Sequence, residues 1–199
     1  MVAVITGDII NSRQRKTLEW LPVLKETLNN YGNFQLNWEI FRGDSFQLSL
    51  SPEKALIAAI HLKAGMKLQK DLDVRLAIGI GEEDHNNGKI TEANGTAYVR
   101  SGECFESLKK QNLAIRTADP DTDEMLNLIF SLALLTMDNW SPLVADLIRF
   151  SLENQDKNQK ELAELLERSP SAVNEALKRG GFDELMELNE FYKKRVADL

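Results

Sequence analysis

The stretch FQLNWEIFRGDSFQLSL, residues Phe34–Leu50, decides how the first half of this chain folds. Apolar residues fall at every second position on both sides of Arg42-Gly43-Asp44-Ser45, which is the spacing of two half-buried strands. Gly43 permits the left-handed backbone of a tight turn. The pattern predicts a β-hairpin over residues 34–50, with Asp44 held at its tip.

A second carboxylate follows the first apolar run of the chain. Val2–Thr6 is short and apolar, which predicts a buried strand that stops at Gly7-Asp8. If this strand and the hairpin are neighbours in one sheet, Asp8 and Asp44 lie close together at one edge. Two such carboxylates can hold Mg²⁺ or Mn²⁺ together with a backbone carbonyl, here that of Ile9, and the ion can bind nucleotide phosphates. The alternative is that each aspartate only terminates a strand.

Composition limits the class of protein. The chain has 199 residues, of which 43% are hydrophobic, and a formal net charge of −7, so any binding of nucleic acid must be local. Cys104 is the only cysteine, which excludes an intrachain disulfide and suits a reducing compartment. No apolar run is long enough to span a bilayer and no signal peptide is recognisable. We therefore expect a cytoplasmic protein with no membrane partner.

The remaining patterns up to residue 118 alternate helices with strands. A polar, locally basic loop at residues 11–16 leads to a helix that begins at Thr17 and stops at Gly32. The later elements are a helix after Ser51-Pro52, a strand over Asp73–Gly81, a helix over Gly95–Lys110 and a short strand over Leu113–Ile115. We expect the tryptophans and Cys104 in the core and both histidines, His61 and His85, on the surface. The order β-α-β-β-α-β, followed by α-β, predicts an α+β, ferredoxin-like domain over residues 1–118.

After Thr117 the strand patterns stop and helical periodicity takes over. Asp119-Pro120 and Ser141-Pro142 are typical starts of two apolar helices, and three further helical segments follow. This change of period predicts a domain boundary near residue 118 and an all-helical region over residues 119–199. The two apolar helices are candidates for a homodimer interface.

The segment QKELAELLERSPSAVNEALK, residues 159–178, resembles a DNA-binding helix-turn-helix. Leu162, Ala163, Leu166, Val173 and Leu177 stand where the two helices of that motif pack together. Glu167 occupies the turn position that usually requires a positive φ. The resemblance implies DNA contacts from the second helix and the residues that flank it: Arg168, Ser169, Ser171, Asn174, Lys178 and Arg179. The alternative is a helical hairpin that contacts protein.

Four motifs in the same order resemble the SatD family, a bacterial family, over about residues 1–117. They are Gly7-Asp8-Ile9-Ile10-Asn11-Ser12, Gly43-Asp44-Ser45-Phe46-Gln47, Ala77-Ile78-Gly79-Ile80-Gly81-Glu82 and Gly95-Thr96-Ala97-Tyr98. The same region is more remotely similar to the palm-like domain of class III nucleotide cyclases and GGDEF diguanylate cyclases. That resemblance implies a palm-type fold with Asp8, Ile9 and Asp44 as metal ligands. Asn11, Ser12, Gly43 and Arg100 are the candidate ligand contacts around them.

The sequence departs from the cyclase pattern at two points. Ser101-Gly102 stands where the SatD pattern has Ala-Arg, so Gly102 cannot supply the arginine that stabilises the transition state in cyclases, and Arg100 is the nearest substitute. The hairpin also has Ser45 in place of a second carboxylate. We therefore expect no appreciable cyclisation of nucleotides.

Three functions remain open from the sequence. The leading one is a regulatory protein that binds a nucleotide-like or metal-phosphate ligand in its first domain and DNA or a partner in its second. The rival is a Mg²⁺-dependent nucleotidyl-transfer or cyclase-type enzyme. The third is a dimerising scaffold with neither activity.

Overall fold

The computed structural model describes residues 1–84 and 87–199, and within them the chain forms one sheet and eight α-helices. The strands are β1 (Val2–Ile10), β2 (Trp38–Phe41), β3 (Ser45–Leu50), β4 (Asp73–Gly81) and β5 (Leu113–Arg116). The helices are α1 (Thr17–Asn29), α2 (Ala55–Met66), α3 (Thr96–Ser107), α4 (Pro120–Met137), α5 (Pro142–Glu153), α6 (Gln159–Leu165), α7 (Pro170–Arg179) and α8 (Phe182–Ala197). The predicted surface position of His85 lies outside the described residues.

The sheet has the strand order β2-β3-β1-β4-β5. The first four strands pair antiparallel, and β5 adds to β4 in parallel because α3 crosses over between them. The α+β class is therefore confirmed. The strand that carries Asp8 and the second hairpin strand are direct neighbours, as the sequence predicted.

Two strand boundaries differ from the prediction. The first hairpin strand begins only at Trp38, since Phe34–Asn37 forms a turn in which Phe34 bridges to Trp38. β1 instead continues through Gly7 and Asp8 to Ile10. Gly7 suits this central position because a Cβ there would lie 2.6 Å from the Phe46 ring on one neighbouring strand and 2.9 Å from Leu76 on the other.

The two faces of the sheet are covered by different helices. α1 and α2 pack on the face that contains Ala3, Ile5 and Ile9. α3 packs on the other face, where its backbone approaches β4 so closely that a Cβ on Gly79 would lie 2.3 Å from the Ala97 carbonyl oxygen. The small residue Gly79 therefore allows the backbone of α3 to approach β4 closely.

The C-terminal helices share a core with the sheet. α5 packs on α2, α4 on β5, and α8 on the 3₁₀ turn Pro52–Lys54, and one cluster of buried apolar residues extends from β1 into α8. Asp119 and Ser141 cap α4 and α5 with their side chains, as predicted. The strands end at Arg116 and α4 begins at Pro120, while the domain boundary at residue 118 stays a prediction. Among the described helices, none is both long and apolar enough to cross a bilayer.

Helix α2 is buried on almost every side, and this corrects the expected position of His61. The sequence predicted a surface histidine, but His61 is 2% exposed because α1 and α5 both pack against α2. Lys63 is equally buried and pairs with Asp73 (2.7 Å) and Asp138 (2.6 Å). Cys104 and all three tryptophans are buried, as expected. Burial raises the pKa of the Cys104 thiol to about 11, so this cysteine is unreactive.

Candidate functional site

Backbone pairing at one edge of the sheet brings the two predicted metal-binding aspartates side by side. Asp8 lies opposite Ser45 on β3, and the Ile9 amide donates to the carbonyl of Asp44 at 3.1 Å. Arg42 and Gly43 both have positive φ, 54° and 93°, which lets the chain reverse just before Asp44. The geometry of the two backbones follows the sequence prediction.

The carboxylate of Asp8 is held by Arg75, which lies directly opposite it on β4. The guanidinium donates from Nε to Oδ1 at 2.9 Å and from its terminal nitrogen to Oδ2, so the contact is bidentate. Hydrogen bonding to Asp8 raises the pKa of Arg75. Arg75 also packs over the ring of Phe105 on α3, 5.2 Å from its centroid. Asp8 therefore faces the α3 side of the sheet with its charge neutralised.

The carboxylate of Asp44 has a different partner and lies beside a cleft. The Ser12 hydroxyl donates to Asp44 Oδ2 at 2.5 Å. Ser12 and Asp44 line a cleft of about 420 Å³ together with Trp20 of α1. Since α1 packs on the face opposite α3, Asp44 and Asp8 present their carboxylates to different surroundings.

Three arginines line the same cleft, Arg13 and Arg15 before α1 and Arg42 in the hairpin turn. Arg15 donates to the Lys70 carbonyl at 3.1 Å and lies 3.9 Å from Asp71. Within residues 1–84 and 87–199, Arg13 and Arg42 have neither a hydrogen bond nor an ion pair. With Asp44 as the only acidic lining residue, the cleft is locally basic on a protein whose net charge is −7.

The first turn of α1 adds hydrogen-bond donors to this cleft. The N-cap residue Lys16 makes no side-chain cap, and Thr17, the first residue of the helix, lines the cleft. Uncapped amides at a helix start favour an anion. Arginine forks and helix-terminal amides together form a donor set suited to phosphate.

The other predicted ligand residues lie in two places. Asn11 adopts a left-handed backbone (φ 62°) and donates from its side chain to the Asp71 carbonyl at 2.8 Å, and Gly43 lines the cleft. Arg100 lies elsewhere, because its guanidinium donates to the Ile80 carbonyl at 2.6 Å, near the far end of β4. Ile80 pairs with Ala3, whereas Arg75 pairs with Asp8. The structure therefore brings Ser12 and Gly43 together with Asp44, whereas the side chain of Asn11 is directed to Asp71 and that of Arg100 to Ile80.

The residues at the sheet edge fit a metal ion only in part. In the part of the chain that the structure describes, no three His, Cys, Asp or Glu side chains are grouped as metal ligands would be. Asp8 would have to leave Arg75 to bind an ion. Metal binding at Asp8, Ile9 and Asp44 therefore stays a prediction.

The C-terminal helix pair α6–α7 has the packing that the sequence predicted. Ala163, Val173 and Leu177 are buried in the shared apolar core, with the partly buried Leu166 packed against it, and Leu162 is also buried. Glu167 takes a φ of 52°, the left-handed value that the turn between the two helices requires. All six candidate DNA contacts are exposed: Arg168, Ser169, Ser171, Asn174, Lys178 and Arg179.

The arginine cleft was not predicted as a site. Its signal in the sequence is the basic loop at residues 11–16, which precedes a helix whose N-cap residue, Lys16, has no side-chain oxygen to accept from the first amides. Arg42 gave no signal, because only the folded hairpin brings it against that loop.

Comparison with known proteins identifies one family. The family model described as SatD family matches residues 1–192. No curated protein and no solved structure matches the chain.

Proposed function

The chain belongs to the SatD family, and we propose that it is a regulatory protein that binds a phosphate-bearing, nucleotide-like ligand in the arginine cleft beside Asp44. The observation that carries the proposal is the pair Arg13 and Arg42, two exposed guanidinium groups that line one cleft and have no partner among the described residues. A phosphate group would accept hydrogen bonds from both forks and from the amides at the start of α1.

The carboxylate of Asp44 requires that the proposed ligand carry a hydrogen-bond donor or a bound cation as well as a phosphate group. A carboxylate among phosphate-binding arginines repels an anion unless a cation or a ligand donor lies between them. We propose that Asp44 accepts either a hydroxyl of the ligand or, with the Ile9 carbonyl, a divalent ion that the phosphate brings. Asp8 would join such an ion only after release from Arg75.

The strand order supports a finer description of the fold. The order β2-β3-β1-β4, antiparallel throughout, with α1 and α2 on one face, is what a ferredoxin-like, palm-type domain requires. We propose that residues 1–118 form such a domain and residues 119–199 a helical region.

We propose that α6 and α7 form a helix-turn-helix that binds DNA through α7. The exposed α7 face and the left-handed turn at Glu167 support this reading. The basic footprint is small, so one copy would bind weakly. Leu128, Leu132 and Leu135 form an exposed apolar stripe on α4, from 59% to 70% exposed, and support a homodimer that would place two α7 helices on one DNA.

A melting-temperature titration tests the ligand proposal. Pyrophosphate, triphosphate, ATP and GTP are each added with and without Mg²⁺. A ligand present at 100 times its Kd should stabilise the fold by about 2.7 kcal/mol. The absence of any shift with all four probes would overturn the proposal.

The rival enzyme is tested with the same protein. The chain is incubated with ATP or GTP and Mn²⁺, and cyclic and linear products are measured. We expect none, since Gly102 supplies no arginine and the loss of one charge-stabilising donor costs roughly 10²–10³ in rate. Metal-dependent turnover that is abolished by Asp44→Asn would instead support the nucleotidyl-transfer or cyclase-type enzyme.

A further inference from the structure

Helix α4 is apolar on two faces, and only one of them is covered by the described residues. The residues that face the core are at most 5% exposed: Leu126, Phe130, Leu134 and Met137. On the other face, Leu128, Leu132 and Leu135 are each more than half exposed. A surface helix normally carries polar or charged residues on its outer face. The exposed stripe therefore indicates an interaction surface.

The spacing of the stripe is that of a seam between two helices. With the partly buried Met125, its members follow one another at intervals of three, four and three positions: Met125, Leu128, Leu132 and Leu135. Apolar residues at these alternating intervals form the line of contact in a coiled coil. The spacing therefore favours another helix as the element that covers the stripe.

A hollow beside the stripe offers space for a side chain of such a helix. Its volume is about 310 Å³. Ser131, Leu134 and Leu135 of α4 line it, and so do Lys110 and Gln111. Side chains of one helix insert into holes of this kind on the facing helix. The stripe thus carries both the projecting leucines and a hole that can receive one.

Charges of opposite sign lie at the two ends of the stripe. Glu124 is exposed near the N-terminal end, and Lys110 lines the hollow beside Leu135 at the C-terminal end. The side chains of Glu124 and Lys110 have neither a hydrogen bond nor an ion pair with any described residue. Asp138 lies near the C-terminal end too, but it is paired with the buried Lys63 at 2.6 Å. The stripe therefore has an unpaired acid at one end and an unpaired base at the other.

We propose that α4 packs antiparallel on α4 of a second copy of the chain. A two-fold axis that crosses α4 midway between Leu128 and Leu132 places Leu128 against the partner's Leu132. The same axis places Met125 against the partner's Leu135, because both pairs have the same midpoint in the helix. Under two-fold symmetry each of these contacts occurs twice.

The end charges select the antiparallel orientation. Antiparallel packing brings Glu124 of each copy beside the partner's Lys110, which gives two pairs of opposite charge. Parallel packing would instead bring Glu124 beside Glu124 and Lys110 beside Lys110, and like charges repel. The interface rests on the homodimer of the proposed function, to which it adds the segment and its orientation. It depends neither on the phosphate ligand nor on DNA.

Sedimentation equilibrium of the full chain at several concentrations measures dimerisation. Leu132→Glu should weaken the dimer at least about tenfold, because it buries a charge without a partner in the seam. Leu165→Glu is the matched control at another leucine, 55% exposed on α6, and should dimerise as the wild type does. Both side chains are exposed, so neither change should alter the circular-dichroism spectrum. A wild type that stays monomeric would overturn this interface and the homodimer together. A dimer that Leu132→Glu leaves intact would overturn this interface but not the homodimer.

Charge reversal tests the orientation. Glu124→Lys and Lys110→Glu should each weaken the dimer about three- to tenfold, since each puts two pairs of like charges together. The double variant Glu124→Lys/Lys110→Glu should recover the affinity of the wild type to within about twofold, because the opposite charges face each other again. Single reversals without effect, or a double variant as weak as the single ones, would overturn the antiparallel packing.

Discussion

Asp8 and Arg75 face each other across β1 and β4, and both carboxylate oxygens of Asp8 accept hydrogen bonds from the Arg75 guanidinium. The carboxylate that the sequence assigns to a metal ion is thus already neutralised by a cation of the same sheet. Any ion at Asp8 competes with this pair.

Removal of Arg75 should strengthen metal binding. A partly exposed ion pair is worth up to about 1 kcal/mol, so Arg75→Met should tighten Mn²⁺ binding by up to about fivefold. A Mn²⁺ titration followed by electron paramagnetic resonance measures the change. The double variant Arg75→Met/Asp8→Asn is the control and should lose the gain. Equal Mn²⁺ binding by all three proteins would remove Asp8 from any metal site.

The hairpin and the neighbouring strands could be predicted because each strand shows its own pattern of apolar residues within a few consecutive positions. The Asp8–Arg75 pair could not, since it depends on the register between two strands and joins residues 67 positions apart. The burial of His61 and Lys63 could not be predicted for another reason. A helical pattern indicates one buried face, whereas α2 is covered by elements from both halves of the chain.

Burial of His61 should make the fold sensitive to acid. Desolvation lowers the pKa of His61 from about 6.5 to about 4, with Arg149 adding to the effect, while Glu26 opposes it and Glu153 accepts a bond from the ring. The unfolded chain therefore binds a proton more readily between these two values, and stability falls as pH drops through that window by about 3 kcal/mol in total.

Urea unfolding at several pH values checks this expectation. His61→Gln keeps a polar side chain but does not titrate, so its stability should fall less steeply than that of the wild type between pH 6.5 and 4. Parallel curves for the two proteins would show that His61 does not govern the acid sensitivity.

Substitution by alanine should have opposite effects on stability at Gly79 and at Gly102. Gly79→Ala should destabilise the fold by about 2 kcal/mol or more, because the new Cβ would lie 2.3 Å from the backbone of α3 at both Ala97 and Ser101. A Cβ on Gly102 in α3 would have no neighbour within 4 Å in the part of the chain that the structure describes, so Gly102→Ala should stabilise the fold by about 0.5–1 kcal/mol. Denaturant unfolding of both variants tests the packing of α3 on the sheet. Destabilisation by Gly102→Ala would contradict the open surroundings that the structure gives to Gly102.

The salt dependence of DNA binding by α7 should follow from the number of basic side chains that contact phosphate. With only Arg168, Lys178 and Arg179 near the proposed groove, one copy should give a slope of log affinity against log salt no steeper than about −3, and two copies about twice that. Lys178→Ala and Arg179→Ala should each flatten the slope by about 0.9 per copy.

Selection from a random DNA pool, followed by affinities at several salt concentrations, tests this expectation. Arg42→Ala is the matched control and should bind DNA as the wild type does. A dimer that enriches no sequence would leave α6 and α7 as a helical hairpin for protein contacts.

The central claim is tested most directly by calorimetric titration of pyrophosphate and ATP into the wild type, Arg13→Ala/Arg42→Ala and Arg179→Ala. All three arginines are exposed, so none of these changes should disturb the fold. The account predicts that the wild type and Arg179→Ala bind alike, and that the double variant binds at least tenfold more weakly because two charge-assisted contacts are lost. Equal affinity of the double variant and the wild type would contradict it.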